Sequence, residues 1–441
     1  MTPGARLSAA LEVLDDIVAR RRPAADALKD WGLARRFAGS QDRAAVASLV
    51  YDALRRRASA AFVMGFAQMA DAPSRAVLLG ALRLARGLGV PDIAKLCDGS
   101  RFAPAPLDEE ERSRLEAGAA ALADAPAPVA GDFPAWLEAS LGGEFGENLV
   151  AELQPLAQRA PLDLRVNTLK ATREEALAAL AHLHPRATPH SPLGLRLPHL
   201  EDGRGPSVQS EPAFLEGLVE IQDEGSQLVS LLAGAKAGGT VIDLCAGGGG
   251  KTLALAALMG ARGRIVATDA DLRRLAPMRA RLARSGAANV EIRTPRGRGD
   301  EPLAGLEGKA DLVLVDAPCT GVGAWRRNPD AKWRVRSGSL ERRVAEQDAV
   351  LDRAVRFARP GGRIAYVTCS LLPEENAARI SAFRERHAGW EIVPPGAMVA
   401  GRPAELAALA AHRSRAGTGL LLTPARTGTD GFFLALLERC G

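Results

Sequence analysis

Cysteine is scarce in this chain, and the few cysteines do not form pairs or metal-binding motifs. The residues are Cys97, Cys245, Cys319, Cys369 and Cys440; their number is odd, no C-x-x-C motif occurs, and the six histidines are scattered. A disulfide framework needs paired cysteines, and a structural zinc site needs closely spaced ligands. The sequence therefore predicts reduced, free thiols and no bound metal.

Long uncharged apolar runs are also missing. The most apolar stretch, "TVIDLCAGGGGKTLALAALMG" at 240–260, is interrupted by Asp243, four glycines and Lys251, whereas a membrane helix needs about 18 or more apolar residues in a row. The N-terminal "MTPGARLSAALEVLDDIV" carries acids inside its apolar stretch, unlike a signal peptide. We expect a cytoplasmic protein with no membrane partner.

Positive charge is in modest excess but unevenly distributed. The net charge is +5, yet the stretch from Arg273 to Arg298 holds eight arginines and one acid, and Arg326 to Arg343 holds seven basic residues and two acids. Such stretches are either solvated helix faces in an arginine-rich chain or a surface for a polyanion. Charge alone leaves both interpretations open.

The length of 441 residues exceeds one ordinary hydrophobic core, so several domains are expected. Apolar residues recur at helical spacing in "ARLSAALEVLDDIVARR", "DRAAVASLVYDALRRR" and "SRAVLLGALRLARGLGV". A stretch rich in proline, alanine and acids from Phe102 to Phe133 is a predicted linker, although "LDEEERSRLEAGAAAL" within it also fits a helix. We predict a helical domain at 1–125, a small α+β connecting domain at 126–225 and a Rossmann-like domain at 226–441.

Strand and helix patterns alternate after residue 220. The predicted strands are "TVIDLCA", "GRIVATD", "NVEIR", "ADLVLVDAP" and "RIAYVTC", with helical patterns between them and a last strand in "GTDGFFLALLER". This alternation predicts a parallel sheet with helices on both faces. Ligands of such sheets bind beyond the carboxyl ends of the strands.

A glycine-rich loop in "VIDLCAGGGGKT" (241–252) follows the first of these strands and leads into a helix. Glycines there allow a nucleoside cofactor to approach the backbone, and an acid about twenty residues later can bind its ribose hydroxyls. NAD, FAD and S-adenosylmethionine all fit this pattern, while a P-loop is excluded because its first glycine is missing. The acid ahead of the loop, Asp243, favours a cofactor with a cationic amino or sulfonium group. The predicted cofactor-binding residues are Asp243, Cys245, Ala246, Gly247, Gly248, Gly249, Gly250, Lys251, Asp269, Arg274 and Asp316.

Two cysteines follow predicted strands directly. Cys319 ends "VDAPC", three residues after Asp316, and Cys369 lies in "VTCSLLPEEN". Two strands of one sheet would bring both thiols to the same edge. By contrast, Cys97 and Cys440 lie in segments without such signals, where a buried or terminal thiol has no expected chemistry.

These motifs resemble those of one enzyme family. The segments "DLCAGGGGKT", "DAPCTGVGAWRRNPDAKW", "TCSLLPEEN" and "DGFF" resemble the Sun (RsmB-type) branch of RNA cytosine-5 methyltransferases, as do the upstream "LRVNTLK" and "IQDEGSQL". The N-terminal "AALEVLDDIVARRRPAADAL" is similar to the NusB-like RNA-binding domain of that branch. The resemblance covers nearly the whole chain. It implies an all-α NusB-like N-terminal domain and an α/β Rossmann-like class I methyltransferase core that uses S-adenosyl-L-methionine.

The resemblance also implies roles for the two thiols. C5 of cytosine is a poor nucleophile, and a thiolate that adds to C6 converts the ring into an enamine whose C5 can accept a methyl group. By the position of the motifs, Cys369 is the nucleophile, Cys319 assists release and Asp316 binds the N3/N4 edge of the base. The partner would be RNA, most specifically 16S ribosomal RNA with an unpaired or flipped cytosine. Stacking of Trp325 or Trp333 on that base is an alternative to core packing, which we favour for both.

Two departures from the family pattern keep other functions open. The loop lacks the family's proline at Gly248, and the acid that would bind the adenine amino group aligns with Arg296, with Asp300 as a possible replacement. An RNA-binding ribosome-assembly factor with an inactive methyltransferase fold would explain Arg296. A tRNA methyltransferase, or a DNA cytosine-5 methyltransferase with Cys319 as its nucleophile, would use the same motifs. An NAD-dependent oxidoreductase gives the paired cysteines no task.

Overall fold

The computed structural model describes residues 1–198, 206–295 and 300–440. The chain forms two compact units. The helical unit comprises Met1–Ala160 together with Trp325–Val335, and the sheet unit comprises Pro161–Ala324 and Arg336–Gly441. The predicted division into three domains at 125 and 225 stays a prediction.

The first 160 residues are built from α-helices. Their bounds are α1 Pro3–Arg20, α2 Ala24–Ala34, α3 Ser40–Arg55, α4 Arg57–Val63, α5 Ser74–Arg86, α6 Val90–Leu96, α7 Glu109–Ala117, α8 Ala127–Ala130, α9 Glu138–Phe145 and α10 Leu149–Leu153. The three segments with helical apolar spacing are α1, α3 and α5, which confirms the prediction. Their apolar stripes supply most of one buried core.

Local signals explain where these helices begin and end. Helix α1 starts after Thr2, whose hydroxyl accepts a hydrogen bond from the Ala5 amide, and α5 ends at Gly87, which adopts a left-handed conformation. The predicted linker is wrong for α7, where the alternative of a helix is confirmed. Asp108 and Glu111 form a reciprocal capping box there. The capping box starts a helix within a segment whose proline-rich composition indicates a linker.

A small antiparallel sheet begins the sheet unit. Its elements are β1 Leu162–Val166, α11 Arg173–Ala179, β2 Arg186–Ala187, β3 Gly194–Leu197, α12 Pro212–Leu215 and β4 Val219–Ile221. The strand order is β2-β3-β1-β4. Strand β1 lies in the segment "PLDLRVNTL", and α11 begins after Thr172, which forms a capping box with Glu175.

The remaining elements build the main sheet and its flanking helices. They are α13 Glu224–Ala233, β5 Thr240–Asp243, α14 Gly250–Leu258, β6 Arg264–Ala267, α15 Leu272–Leu275, α16 Met278–Ser285, β7 Val290–Ile292, β8 Ala310–Asp316, α17 Pro329–Arg334, α18 Ser337–Val355, β9 Ala358–Thr368, α19 Ala377–Arg386, β10 Trp390–Val393, α20 Pro395–Val399, α21 Ala404–Ala407, β11 Leu420–Leu422, α22 Pro424–Thr427 and β12 Phe432–Arg439. The segment between β6 and β7 forms two helices, α15 and α16, because Pro277 between them lacks the amide hydrogen that a continuous helix needs.

The main sheet is mixed, with the order β10-β12-β9-β8-β5-β6-β7 and β11 paired to β12. Strands β5 to β9 are parallel, as predicted. The predicted last strand is confirmed as β12, for which the sequence predicts no direction, and it runs antiparallel to β9, β10 and β11. Because β12 is almost entirely buried and apolar, its residue pattern carries no information about its direction.

The segment Trp325–Val335 leaves the sheet unit and packs within the helical unit. Lys332 Nζ donates hydrogen bonds to the carbonyl oxygens of Arg55 and Asp132 at 3.1 and 2.7 Å. Trp333 Nε1 donates to the Leu54 carbonyl at 2.7 Å, and Trp325 is fully buried. Both tryptophans thus serve core packing in the helical unit, as we favoured. Within the described parts of the chain, no helix has the length and apolar character needed to span a membrane.

Candidate active site

The predicted site residues gather where four neighbouring parallel strands end. Strand β5 ends at Asp243, β6 ends two residues before Asp269, β8 ends at Asp316, and β9 ends immediately before Cys369. The order β9-β8-β5-β6 places these four ends side by side. The sheet topology therefore concentrates three carboxylates and a thiol along one edge, the usual ligand position in such sheets.

The glycine loop between β5 and α14 is fixed to the end of β6. The Gly247 amide donates to Asp269 Oδ2 at 2.9 Å, and the Ala246 amide donates to the Thr268 carbonyl at 3.0 Å. Gly249 has φ = 83°, and a Cβ atom there would lie 2.9 Å from Cγ of Met278. A side chain would therefore be both strained and crowded at this position, so the loop requires glycine.

Asp269 is buried and has an ordered set of donors. Its Oδ1 accepts the Asp271 amide at 2.9 Å, and Arg274 Nη1 lies 3.2 Å from Oδ2. Each carboxylate oxygen has two acceptor positions, so acceptor capacity remains for ribose hydroxyls. The carboxylate and the glycine cradle fit an adenosine-containing cofactor. The predicted residues Gly247, Asp269 and Arg274 are brought together.

Asp243 faces the protein rather than the loop's open side. Its Oδ2 accepts from Thr252 Oγ1 at 2.7 Å, and its Oδ1 accepts from the Cys245 amide at 3.3 Å. Burial raises the pKa of Asp243 to about 7, against the opposing effect of the Thr252 hydrogen bond. Desolvation likewise raises the pKa of the half-buried Cys245 thiol, so that this sulfur stays protonated. Cys245 therefore lacks the lowered pKa that is typical of a nucleophilic thiol.

The two thiols expected to meet do so. The sulfur atoms of Cys319 and Cys369 lie 3.3 Å apart, and both side chains are half-buried. The hydrogen bond to Cys369, together with burial and the nearby Glu375 carboxylate, raises the pKa of Cys319 well above its usual value. Either sulfur can donate the hydrogen bond between them, and the raised pKa of Cys319 favours its protonated form.

Lys251 has a partner that sequence reasoning missed. We predicted it as a cofactor-binding residue of the glycine loop, but its Nζ donates to Asp316 Oδ2 at 2.7 Å. Burial alone would lower the pKa of Lys251, and the charges of Asp316 and of the nearby Cys369 raise it instead. The ammonium group therefore stays charged beside the pair of thiols. Only the parallel pairing of β5 with β8 brings these residues, 65 positions apart, together.

Two further residues missed in the sequence hold the cysteine loops. Glu375 accepts hydrogen bonds from the amide and the hydroxyl of Thr320, directly after Cys319. Asn376 contacts Thr368 and the Ser370 carbonyl, on either side of Cys369. Their only sequence signal was a polar "PEEN" after a predicted strand.

The structure describes one of the two residues considered for binding the adenine amino group. Arg296, the departure at the adenine-binding position, lies outside the described residues. Its possible replacement, Asp300, lines an open cavity with Glu291 and Arg293.

Over residues 1–198, 206–295 and 300–440, no group of three or more His, Cys, Asp or Glu side chains is placed to hold a metal ion.

The fold and the site together define a Rossmann-like methyltransferase. The sheet is doubly wound, with an antiparallel strand next to its last parallel strand, and its edge carries a glycine loop bound to Asp269 and two thiols. Comparison with known proteins makes the assignment specific. The family model of the 16S rRNA methyltransferases RsmB/F matches residues 230–438, and that of the RsmF/B-like ferredoxin-like domain matches residues 133–200.

Curated relatives extend this similarity over most of the chain. A probable ribosomal RNA small subunit methyltransferase B of Synechocystis sp. is 30% identical over 377 residues, which are 83% of this chain and 79% of that protein. The ribosomal RNA small subunit methyltransferase B of Pectobacterium carotovorum is 32% identical over 309 residues, 69% of this chain and 66% of that protein. The crystal structure of PH0851 shares the fold, with a TM-score of 0.70, 24% identity and coverage of 100% of this chain and 99% of its own.

The chain belongs to the RsmB/F family of 16S rRNA methyltransferases. Membership confirms S-adenosylmethionine as the cofactor, which the glycine loop alone left open beside NAD and FAD. It also excludes the oxidoreductase interpretation. The NusB-like character of the helical unit stays a prediction.

Proposed function

We propose that this chain methylates C5 of a cytosine in 16S ribosomal RNA, with Cys369 as the nucleophile and Cys319 assisting its release. The observation that carries the proposal is the 3.3 Å separation of the two sulfur atoms at the carboxyl edge of the sheet. Methyl transfer to a nitrogen or an oxygen would need no thiol. A carbon acceptor in a pyrimidine needs one sulfur to add to the ring and benefits from a second group when that sulfur leaves.

The attack step uses the groups around Cys369. As a thiolate, Cys369 adds to C6 through its sulfur while N3 takes a proton. The Lys251 ammonium group supplies this proton through the Asp316 carboxylate, which lies 2.7 Å away. The same Asp316 oxygens accept hydrogen bonds from the N4 amino group and orient the ring. The ring is then a neutral enamine with its nucleophilic carbon at C5.

The cofactor provides a methyl group on a cationic sulfur when it is bound. The chain's own contribution is a cradle of glycine amides, the buried Asp269 carboxylate for the ribose, and Asp243 and Thr252 beneath the loop. These residues hold the donor at the edge where the thiols lie.

Release then restores the aromatic ring. The C5 proton leaves to water, its electron pair forms the C5=C6 bond, and the C6–S bond breaks onto the Cys369 sulfur, while N3 returns its proton to the Lys251–Asp316 pair. The S–H group of Cys319 donates a hydrogen bond to the departing sulfur, 3.3 Å away, and so stabilises the thiolate that forms. The raised pKa of Cys319 supports this division of labour, because it favours a thiol that can donate a hydrogen bond.

Ribosomal RNA is the substrate that the relatives' names support, and the expected RNA-binding role of the helical unit agrees with it. Exposed arginines of the two basic stretches, such as Arg273 and Arg342, would contact phosphates, whereas Arg326 and Lys332 are buried. The target base must be unpaired or flipped out, because C6 is inaccessible within a base-paired stack.

The substrate is tested with labelled S-adenosylmethionine and the purified full chain. Unmethylated 16S RNA, 30S subunits and total tRNA are compared as acceptors, and bisulfite sequencing locates the new 5-methylcytosine. We expect one site in 16S RNA. A label on tRNA alone would redirect the proposal to tRNA, and binding of RNA with no transfer to any acceptor would favour an assembly factor.

A further inference from the structure

We propose that Glu375 and Asn376 are a pair of positioning residues, each holding one of the two cysteine loops, so that together they set the distance between the thiols. The proposal rests on the function above, in which the thiols act at different steps. Within the described residues, the side chains of Glu375 and Asn376 form hydrogen bonds to nitrogen and oxygen atoms and not to a sulfur atom. They act through the backbone and hydroxyl groups that flank each cysteine.

Glu375 holds the loop of Cys319. One carboxylate oxygen accepts the Thr320 amide at 2.8 Å and the other accepts the Thr320 hydroxyl. Gln347 Nε2, from α18, donates both to Glu375 Oε1 at 3.1 Å and to the Pro318 carbonyl at 2.9 Å. The residues before and after Cys319 are therefore both tied to this one carboxylate.

Asn376 holds the loop of Cys369 in the corresponding way. Its amide oxygen accepts the Thr368 hydroxyl, and its Nδ2 donates to the Ser370 carbonyl at 2.9 Å. Thr368 Oγ1 in turn accepts the Ser370 amide at 3.3 Å. The residues before and after Cys369 are thus bound to one side-chain amide.

Glu375 and Asn376, here called the two clamps, are rigidly joined because they are consecutive in the chain. Glu375 is fully buried and Asn376 is 2% exposed, and the Tyr366 hydroxyl on β9 donates to the Glu375 carbonyl at 2.6 Å. A buried carboxylate is stable only where donors satisfy it. Here the donors come from the Cys319 loop and from Gln347, so the cost of burying the charge is offset by order in that loop.

The structure offers matched substitutions for the two sides. Thr320→Val and Thr368→Val each remove one hydroxyl without changing side-chain shape, and Glu375→Ala and Asn376→Ala remove the clamps themselves. Thr320→Ser should restore the Cys319 side, because it keeps the hydroxyl. Glu385→Gln, on the exposed surface of α19, is the control.

The expected effects differ between the sides. Loosening the Cys319 loop by Glu375→Ala or Thr320→Val should leave the first methyl transfer near the wild-type rate, slow steady-state turnover about 10- to 100-fold, and accumulate the covalent RNA adduct. Loosening the Cys369 loop by Asn376→Ala or Thr368→Val should instead reduce adduct formation about 10- to 100-fold. A role in folding alone would lower both rates together.

A second readout does not depend on methylation. Diamide oxidises two neighbouring thiols to a disulfide, each thiol losing one proton and one electron while the diazene takes up both pairs to become a hydrazine. In the wild type, the Cys319–Cys369 linkage should form readily because the sulfurs lie 3.3 Å apart. In either set of clamp variants, its rate, followed by mass spectrometry of the linked peptides, should fall about tenfold because looser thiols meet less often.

The outcomes separate the two proposals. Slower disulfide formation with no RNA adduct in any variant, including Cys319→Ala, would support the clamp and refute the proposed chemistry. Clamp variants that match Glu385→Gln in both oxidation and kinetics would overturn the clamp and leave the chemistry intact. Equal loss of both kinetic phases on both sides would also overturn it. The valine variants keep these tests valid should the alanine variants fold poorly.

Discussion

The Lys251 ammonium lies 2.7 Å from the Asp316 carboxylate and links the first turn of α14 to the carboxyl end of β8. Lys251 is 11% exposed and Asp316 31% exposed. This ion pair lies on the same sheet edge as the two thiols, and the Cys369 thiol is among the groups that raise the pKa of Lys251. Such convergence of charged and nucleophilic groups is typical of a catalytic centre.

We predict that Lys251→Met abolishes most of the methyl transfer. Loss of the ammonium group removes the proton source for N3 and leaves Asp316 without its partner, which should lower the rate about 10²- to 10⁴-fold. The measurement is single-turnover transfer of labelled methyl to 16S RNA. Lys309→Met, whose ammonium contacts only the Gly305 carbonyl among the described contacts, is the control. Adduct formation at the wild-type rate in Lys251→Met would exclude the role in attack.

Exchange of each cysteine should give opposite results. Cys369→Ala should abolish methyl transfer because no sulfur can add to C6. Cys319→Ala should transfer one methyl group and then retain RNA covalently, because release lacks its hydrogen-bond donor. Denaturing gels detect the retained RNA as a slowly migrating band. The reverse pattern would make Cys319 the nucleophile, as in the DNA methyltransferase alternative.

The stability of the sheet unit should depend on pH through Asp243. Burial raises its pKa to about 7, above the value of about 3.9 in an unfolded chain. Between these two pKa values the folded state holds a proton on Asp243 that the unfolded state has lost. The stability that this proton contributes is fully present below about pH 4 and is lost as the pH rises through about 7.

Asp243→Asn cannot ionise, and its amide can satisfy both Thr252 and Cys245. Relative to this variant, the cofactor-free wild type should lose about 3 kcal/mol of unfolding free energy between about pH 5 and about pH 8. Urea denaturation at several pH values measures the difference. A difference that stays constant with pH would show that Asp243 is ionised throughout.

Lys332→Met should destabilise the helical unit. The buried Lys332 donates to the carbonyls of Arg55 and Asp132, and burial lowers its pKa to about 8. Its loss leaves both acceptors without this donor and should cost about 2–4 kcal/mol. Lys95→Met, at an exposed lysine, should change stability little.

Tryptophan fluorescence is a suitable probe for that measurement. Four of the five tryptophans, Trp31, Trp136, Trp325 and Trp333, lie in the helical unit. A urea midpoint of Lys332→Met equal to that of Lys95→Met would contradict the structural role of the buried ammonium.

Gly323→Ala should disturb the Cys369 loop. A Cβ atom at Gly323 would lie 2.3 Å from the Gly431 carbonyl oxygen, and the Gly323 amide donates to the Cys369 carbonyl at 2.9 Å. The backbone must shift, so adduct formation should fall about 10- to 100-fold. Gly338→Ala, in open space at the start of α18, is the matched control and should leave activity unchanged. Normal adduct kinetics in Gly323→Ala would show that the loop tolerates this displacement.

Much of the fold and part of the site could be predicted from the sequence. The periodic apolar residues of α1, α3 and α5, and the buried strands that end at Asp316 and before Cys369, are local patterns with a direct structural meaning. The meeting of the two thiols followed from them, because parallel strands present their carboxyl ends at one edge.

The tertiary structure alone decided the rest. The antiparallel direction of β12, the packing of Trp325–Val335 in the helical unit, the pairing of Lys251 with Asp316, and the grip of Glu375 on the Cys319 loop all join residues far apart in the chain. Such contacts depend on how elements are connected and packed. They leave no periodic trace in the local order of residues, which is why a lysine assigned to the cofactor and an unassigned glutamate acquire their roles only in the folded chain.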